Sequence, residues 1–402
     1  MASKASHPSP HGMDRPLPLS GTLVVSLEQA IAAPYATRQL ADLGARVIKV
    51  ERPEGGDFGR DYDRTVRGLS SHFVWANRSK ESLVLDLKTA AGGTALRQLA
   101  ARADVLVSNL RPGAVDRLGL DFAELRRKYP RLITCTISGF GGAGPYRDRR
   151  AYDLLVQCEA GLLAVTGTEA NPAKVGISVS DIAAASHAFA GILAALYGRE
   201  RSGTGTHVEI SMLDSSVEWM GFPLYYTEYS GAPPPRSGSR HATIAPYGPF
   251  RVGDGSIVFL AVQNHREWQR FCNTVLELPG LARDPRFASN SDRAANWEEL
   301  QEVIESGFAG LDGGAVEARL VAANIATARQ RTVAEVLDHP QLRARERWTE
   351  VQSPVGALRS LLSPIGIEGT RPRMDRVPAL GEHTEAILAE LEQDWPPTGE
   401  GD

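Results

Sequence analysis

Between residues 22 and 138, short β-branched and apolar runs alternate with stretches of helical composition. Residues 22–27 (TLVVSL), 46–50 (RVIKV), 82–87 (SLVLDL), 104–110 (DVLVSNL) and 132–138 (LITCTIS) have the length and residue types of buried strands. Pro34 stands where a helix can start, 35–43 continue it, and Gly44 fits its end. A second helix is expected over 90–103. Strands apolar along their whole length need cover on both faces, so the pattern predicts a mostly parallel sheet between helices. The expected fold class is α/β, with a Rossmann-like large domain.

After residue 138 the pattern loosens. A GFGGAGP loop at 139–145 leads through the basic residues Arg147, Arg149 and Arg150. A short strand is expected at 174–179, an Ala-rich helix at 182–197 and a further strand at 207–212. The SGAPPPRSGS run at 230–239 reads as a linker. Beyond it come a hairpin at 248–262 and amphipathic helices near 266–276, 297–309 and 314–323, the makings of a smaller α+β domain. A late helix at 384–391 has too little core of its own and is expected to return to the first domain. The expected division is a mobile tail (1–16), a large domain (17–225 and 335–402) and linkers with a small domain (226–334).

Composition excludes several classes. With 44 Lys plus Arg against 48 Asp plus Glu, the net charge of −4 does not fit a nucleic-acid binder. The tail to Pro16 has no apolar secretory core, and the 182–197 stretch falls short of the roughly 20 residues a membrane span needs. It reads as a buried helix, and the protein is expected in the cytoplasm without a membrane partner. Cys135, Cys158 and Cys272 form no CxxC pair and read as core positions. The H-x-x-x-H pair, His7 and His11, lies in the tail, so no metal is expected.

The first β-α-β unit invites a nucleotide reading, with Glu51 where a ribose-binding acid would sit. Its turn, EQAIAAP at 28–34, lacks the glycines that let a backbone approach a pyrophosphate. No Walker loop or G-x-S-x-G elbow occurs either. Cations are better placed: Arg52, Lys80, Lys88, Arg111, Arg117 and Arg150 follow or flank the strands, and NLRPG at 109–113 directly follows one. Ligands of open α/β sheets bind beyond the carboxyl ends of strands, so these cations are read as holding a polyanion such as a nucleotide phosphate. Asp181 opens the Ala-rich helix. Its ordinary role there is an N-cap. The same position also keeps a carboxylate ionised for nucleophilic attack.

The motifs LGARVIKVERP (43–53), KESLVLDLK (80–88), NLRPGAVDRLG (109–119), SGFG (138–141), the Asp181 segment, GILAALYGRERSGTGTHVEISM (191–212), APYG (245–248) and GEHT (381–384) occur together in this order. On these the chain resembles the class III CoA-transferases, the family of formyl-CoA transferase and carnitine CoA-transferase. The resemblance implies an interlocked homodimer, no tightly bound cofactor, and coenzyme A as co-substrate. It makes Asp181 the catalytic nucleophile, forming an acyl anhydride and then an aspartyl-CoA thioester. It assigns Arg52, Leu85, Lys88, Asn109, Leu110, Arg111, Arg117, Arg150, Ala151, Tyr152 and Asp153 to the coenzyme A site.

Two relatives of different character bear on the substrate. Formyl-CoA transferase carries a glutamine where this chain has Ile31, and a glycine-rich lid not found near Tyr247 and Gly248, so formate and oxalate are not expected. The α-methylacyl-CoA racemases carry a His-Asp pair where this chain reads Tyr152-Asp153, and racemisation needs a second base. Transferase is the expected activity, ahead of a racemase or a catalytically silent acyl-CoA-binding protein. Residues 27–34 and 71–80 look most like members that use succinyl-CoA and C4–C5 dicarboxylates: itaconate, mesaconate, citramalate, malate or glutarate. Arg60, Arg64, Arg240 and His241 are then candidates for holding the second carboxylate.

Overall fold

The computed structural model describes residues 15–393, so the expected tail falls almost wholly outside the described residues. Strands β1 (Leu23–Leu27), β2 (Arg46–Glu51), β3 (Lys80–Val84), β4 (Val105–Ser108), β5 (Ile133–Ser138) and β6 (His207–Ser211) form one sheet in the order β3-β2-β1-β4-β5-β6. Every pairing in it is parallel. In register, Val24 lies beside Val47 and Val105, and Val25 beside Ile48 and Leu106. The first row joins a core with the helices Ala32–Asp42 and Val179–Ser202. The second packs with Ala90–Arg102 and with Ile387 and Leu391 of Thr384–Glu392. Alternate residues of one strand thus feed two cores, and each fully buried Val, Leu or Ile contributes about 1.5–3 kcal/mol.

The Val179–Ser202 helix spans 24 residues, longer than the sequence reading, and among the described residues it is long and apolar enough to cross a membrane. Here it packs against the Ala32–Asp42 helix, with Ala184, Ala185 and Ala188 sharing a core with Ala32, Ala33 and Ala36. Methyl-sized side chains let the two backbones approach closely. The expected strand at 174–179 does not form; 173–178 are irregular and Val179 already lies in the helix. No neighbouring ladder receives that segment, while Asp153 orders the helix start from outside.

The GEHT segment closes the open edge of β3. His383 N–H donates to Ser82 O (3.0 Å), Ser82 N–H to His383 Nδ1 (3.2 Å) and Val84 N–H to Thr384 Oγ1 (3.0 Å). Unpaired edge groups are thereby satisfied.

The chain separates into two compact units, one of residues up to Ala160, Gly176–Trp219 and from Leu342 onward, the other of Gly161–Val175 and Met220–Gln341. The second holds an antiparallel sheet β7 (Tyr247–Arg251), β8 (Ile257–Ala261), β9 (Ala326–Ala328) over an aromatic core of Phe250, Trp268, Phe271, Phe287, Trp297 and Phe308. Cys135 and Cys272 are buried, whereas Cys158 is exposed, against the core reading of all three.

Candidate active site

The carboxyl ends of β1 and β4 lie side by side where the sheet order reverses, the place at which an open α/β sheet leaves a crevice. Asn109 spans it: Gln29 N–H donates to its Oδ1 (2.9 Å) and its Nδ2 donates to Gln29 O (2.8 Å). The next residue in the turn, Ala30, has φ of +62°, a left-handed conformation uncommon outside glycine. Asp57 holds it there, its Oδ1 accepting from Ala30 N–H (2.9 Å) and Gly59 N–H (2.8 Å).

Asp57 belongs to a buried ion cluster. Lys49 lies 2.7 Å from Asp57 and 3.3 Å from Glu28, and Lys80 lies 2.6 Å from Glu28, all with fully buried side chains. Burial opposes ionisation of Glu28, but Lys80 and Lys49 outweigh it and hold the carboxyl below its ordinary value. Burial likewise opposes the Lys49 ammonium, and Asp57, Glu28 and Glu51 together raise it. Burial depresses Lys80 even against the pull of Glu28. Beside them Arg60 grips Glu51 with two bonds (2.7 and 2.8 Å) and Ser82 Oγ donates to it (2.6 Å). Burial is again overcome, and Glu51 falls to about 2.

These contacts correct several sequence assignments. Lys80 is not a ligand cation: its ammonium is used by Glu28, Pro34 O and Asn77 Oδ1. Glu51 is bound to Arg60 and is no ribose acceptor. Arg60 is in turn consumed by Glu51 and stacks 3.7 Å over the Phe73 ring. Arg64 pairs at the surface with Asp61 (2.7 Å). In the second unit Arg240 lies over Trp297, and His241 stacks on Tyr247 with Nδ1 accepting from the backbone of Thr243 and Ile244.

Asp181 is the third residue of its helix, not the N-cap, and the cap residue Ser178 makes no side-chain capping bond. Asp153 does the capping from another helix: its Oδ1 accepts from Ser180 N–H (2.8 Å) and Asp181 N–H (3.4 Å), while Gln157 Nε2 donates to its Oδ2 (2.6 Å). The Asp181 carboxyl is therefore released from capping. The Ala32 N–H, one of the donors a helix N-terminus leaves free, is near enough to favour its anion. Burial and then the Asp153 charge outweigh it and push Asp181 up to about 7. A carboxylate of this basicity is a stronger nucleophile than an ordinary one and is still substantially ionised near neutrality.

Asp181 faces a cleft of about 690 Å³ lined also by Ala30, Ala32, Tyr62, His72, Asn109, Leu110, Arg111, Arg117, Arg150, Ala151, Tyr152 and Asp153. A neighbouring cleft of about 470 Å³ is lined by Arg52, Leu85, Lys88 and Leu110. Both clefts include Gln29 and Leu110. Every residue assigned from sequence to coenzyme A borders one of the two, although the side chains of Asn109 and Asp153 are committed to the fold. Gly139 is required at this wall, since a Cβ there would lie 2.0 Å from the Cβ of Ala151. Sequence reasoning missed Tyr62, His72 and Arg147 on the lining, together with the Ala32 N–H. No local spacing carries that information, because 62 and 72 meet 181 only through tertiary packing.

The family model of CoA-transferase family III matches residues 19–384. The chain belongs to that family and is a CoA-transferase. A succinate–glutarate CoA-transferase of Agrobacterium fabrum is 35% identical over 389 residues, covering 94% of this chain and 97% of that protein. An acetyl-CoA:oxalate CoA-transferase of Acetobacter aceti is 35% identical over 378 residues, covering 93% and 96%. The oxalate-named relative is as similar as the glutarate-named one, so similarity does not support setting oxalate aside. In structure, a CAIB/BAIF family protein from Brucella suis superposes with a TM-score of 0.81 at 34% identity, covering 94% of this chain and 100% of that one.

Proposed function

We propose that this enzyme moves coenzyme A from succinyl-CoA to a C4–C5 dicarboxylic acid through covalent intermediates on Asp181. The observation that carries the reading is a carboxyl freed from helix capping, poised near neutrality and facing a cation-rimmed cleft. Relatives named for succinyl-CoA with mesaconate or D-citramalate, at 35% and 31% identity, support the donor and the acid class.

An Asp181 oxygen attacks the thioester carbonyl; the C–S bond breaks and the thiolate leaves a succinyl-aspartyl anhydride. The thiolate then attacks the aspartyl carbonyl, releasing succinate and forming an aspartyl-CoA thioester. The acceptor carboxylate reverses these two steps, ending with a new acyl-CoA and free Asp181. No water, proton or redox equivalent is consumed, and each stage conserves an activated acyl bond. Arg52, Lys88, Arg111, Arg117 and Arg150 are exposed around the clefts, where their charge suits the phosphates; Leu85 and Leu110 supply apolar contact. Asn109, Ala151, Tyr152 and Asp153 shape the wall.

The helix Gly221–Ser230 supports a homodimer: it has no buried residue, and Phe222, Leu224, Tyr225 and Tyr229 are exposed on it. A patch of this kind marks a protein interface. The interlocked arrangement and the cytoplasmic location belong to the same proposal.

The test is succinyl-CoA with a panel of mono- and dicarboxylic acids, oxalate included, in deuterated buffer, read by mass spectrometry. A new acyl-CoA with free succinate and no deuterium on carbon is expected. Deuterium at the α-carbon of a branched acyl-CoA control would overturn the reading in favour of racemisation.

A further inference from the structure

We infer that His72, oriented by Asp63, grips the distal carboxylate of both the succinyl donor and the dicarboxylic acceptor. This rests on the dicarboxylate reading above and names the residue that would enforce it. The four cations proposed from sequence for that role do not fill it in this structure: Arg60 and Arg64 are spent on Glu51 and Asp61, and Arg240 and His241 pack against Trp297 and Tyr247.

His72 lines the Asp181 cleft and is only partly buried. Its Nδ1 lies 3.4 Å from Asp63 Oδ2. Asp63 is a built anion: it accepts from Thr65 N–H (2.9 Å), Ser71 N–H (3.1 Å) and Ser71 Oγ (2.8 Å). Those bonds, Thr65 first, hold its carboxyl far below the ordinary range. A fixed carboxylate on Nδ1 selects the proton there and aims the ring, as carboxylate–imidazole pairs do elsewhere. Nε2 has no protein partner among the described residues. Gripping a ligand carboxylate at Nε2 while Nδ1 stays on Asp63 requires a proton on each ring nitrogen.

Tyr62 adjoins the ring. Its ring meets His72 edge-on at 5.4 Å. Burial and the charge of Asp181 raise the phenol to about 12, so it stays neutral on the cleft wall beside His72. Acyl groups of donor and acceptor occupy the same place on Asp181 in turn. The same clamp therefore meets the distal carboxylate in both half-reactions.

The experiment compares glutarate with pentanoate, an acid of equal chain length lacking the second carboxylate, using succinyl-CoA as donor. In His72→Gln the ratio of kcat/KM for glutarate over pentanoate is expected to fall by about 10- to 100-fold, the loss of one charge-assisted hydrogen bond. His72→Arg, which restores a cation, is expected to recover much of the ratio, and Asp63→Asn to lower it by a smaller factor. If His72→Gln keeps the wild-type ratio, whether or not both rates fall, or if the ratio falls and His72→Arg does not restore it, the inference is overturned. If the wild-type enzyme shows no preference for glutarate, the dicarboxylate reading itself fails, a result seen before any variant is made.

Discussion

Charged side chains gather in two neighbouring regions at the carboxyl ends of the strands, and their circumstances are opposite. In the inner cluster, Glu28, Lys49, Lys80 and Asp57 have no side-chain exposure and each meets an opposite charge within 3.3 Å. In the outer clefts, Arg52, Lys88, Arg111, Arg117 and Arg150 are exposed and have no carboxylate in ion-pair range among the described residues. The inner set has spent its charge on holding the Ala30 turn; the outer set keeps its charge for something else. Cations that look alike in the sequence are thus separated by pairing into a buried scaffold set and an exposed set without ion-pair partners, because a buried charge without a partner is too costly to keep.

The sharpest break of this comparison is at Asp181, the charge that belongs to neither group. Asp181→Asn should lower turnover by at least about 10³-fold while coenzyme A binding, followed by calorimetry, persists, since the amide cannot form the anhydride. Retained turnover would remove Asp181 from the chemistry. Next in size, Lys80→Met should destabilise the protein by about 3–5 kcal/mol in urea unfolding, because it strips Glu28 of a close partner. An unchanged midpoint would mean the inner cluster does not support the fold. The outer region should behave in the opposite sense. Arg111→Ala or Arg117→Ala should each raise the KM for acyl-CoA by about tenfold, with stability within about 0.5 kcal/mol of the parent. A large loss of stability would place these arginines with the scaffold.

The smallest effect concerns pH. Asp181 is raised from an ordinary carboxyl's 3.8 to about 7 in the fold. Between those values the folded protein holds a proton that the unfolded chain has released, so stability falls as pH rises through the window. Asp181→Asn removes that penalty: its melting temperature should exceed the parent's at pH 8, and the two should converge near pH 4. In the parent, kcat/KM should decline as pH drops below about 7, where the nucleophile becomes protonated. A flat profile down to pH 5 would show that Asp181 is ionised well below its expected range.

The sheet was legible because its strands are apolar throughout and bounded by turn residues; TLVVSL and RVIKV can hardly be placed except between two layers of helices. Asp181 was legible as an acid opening a helix of small residues. Its exact place was not, and the N-cap reading failed because the capping carboxylate, Asp153, arrives from another helix. The 174–179 strand failed for a related reason: β-branched residues make a strand only where a neighbour offers a ladder. Lys80 and Arg60 were misjudged because charge is visible in a sequence while its partner is not. Lys80 meets Glu28 across 52 positions, a contact no spacing rule contains.

By itself, the sequence determined the α/β architecture, the absence of a glycine phosphate cradle, and the small-residue helix that Asp181 opens, since periodicity and residue size act locally. The tertiary structure alone decided which charges are paired, that Asp181 escapes capping and is pushed toward neutrality, and that Tyr62 and His72 join its cleft. Those outcomes depend on burial and on distances of a few ångströms between distant segments, where electrostatic energies change steeply.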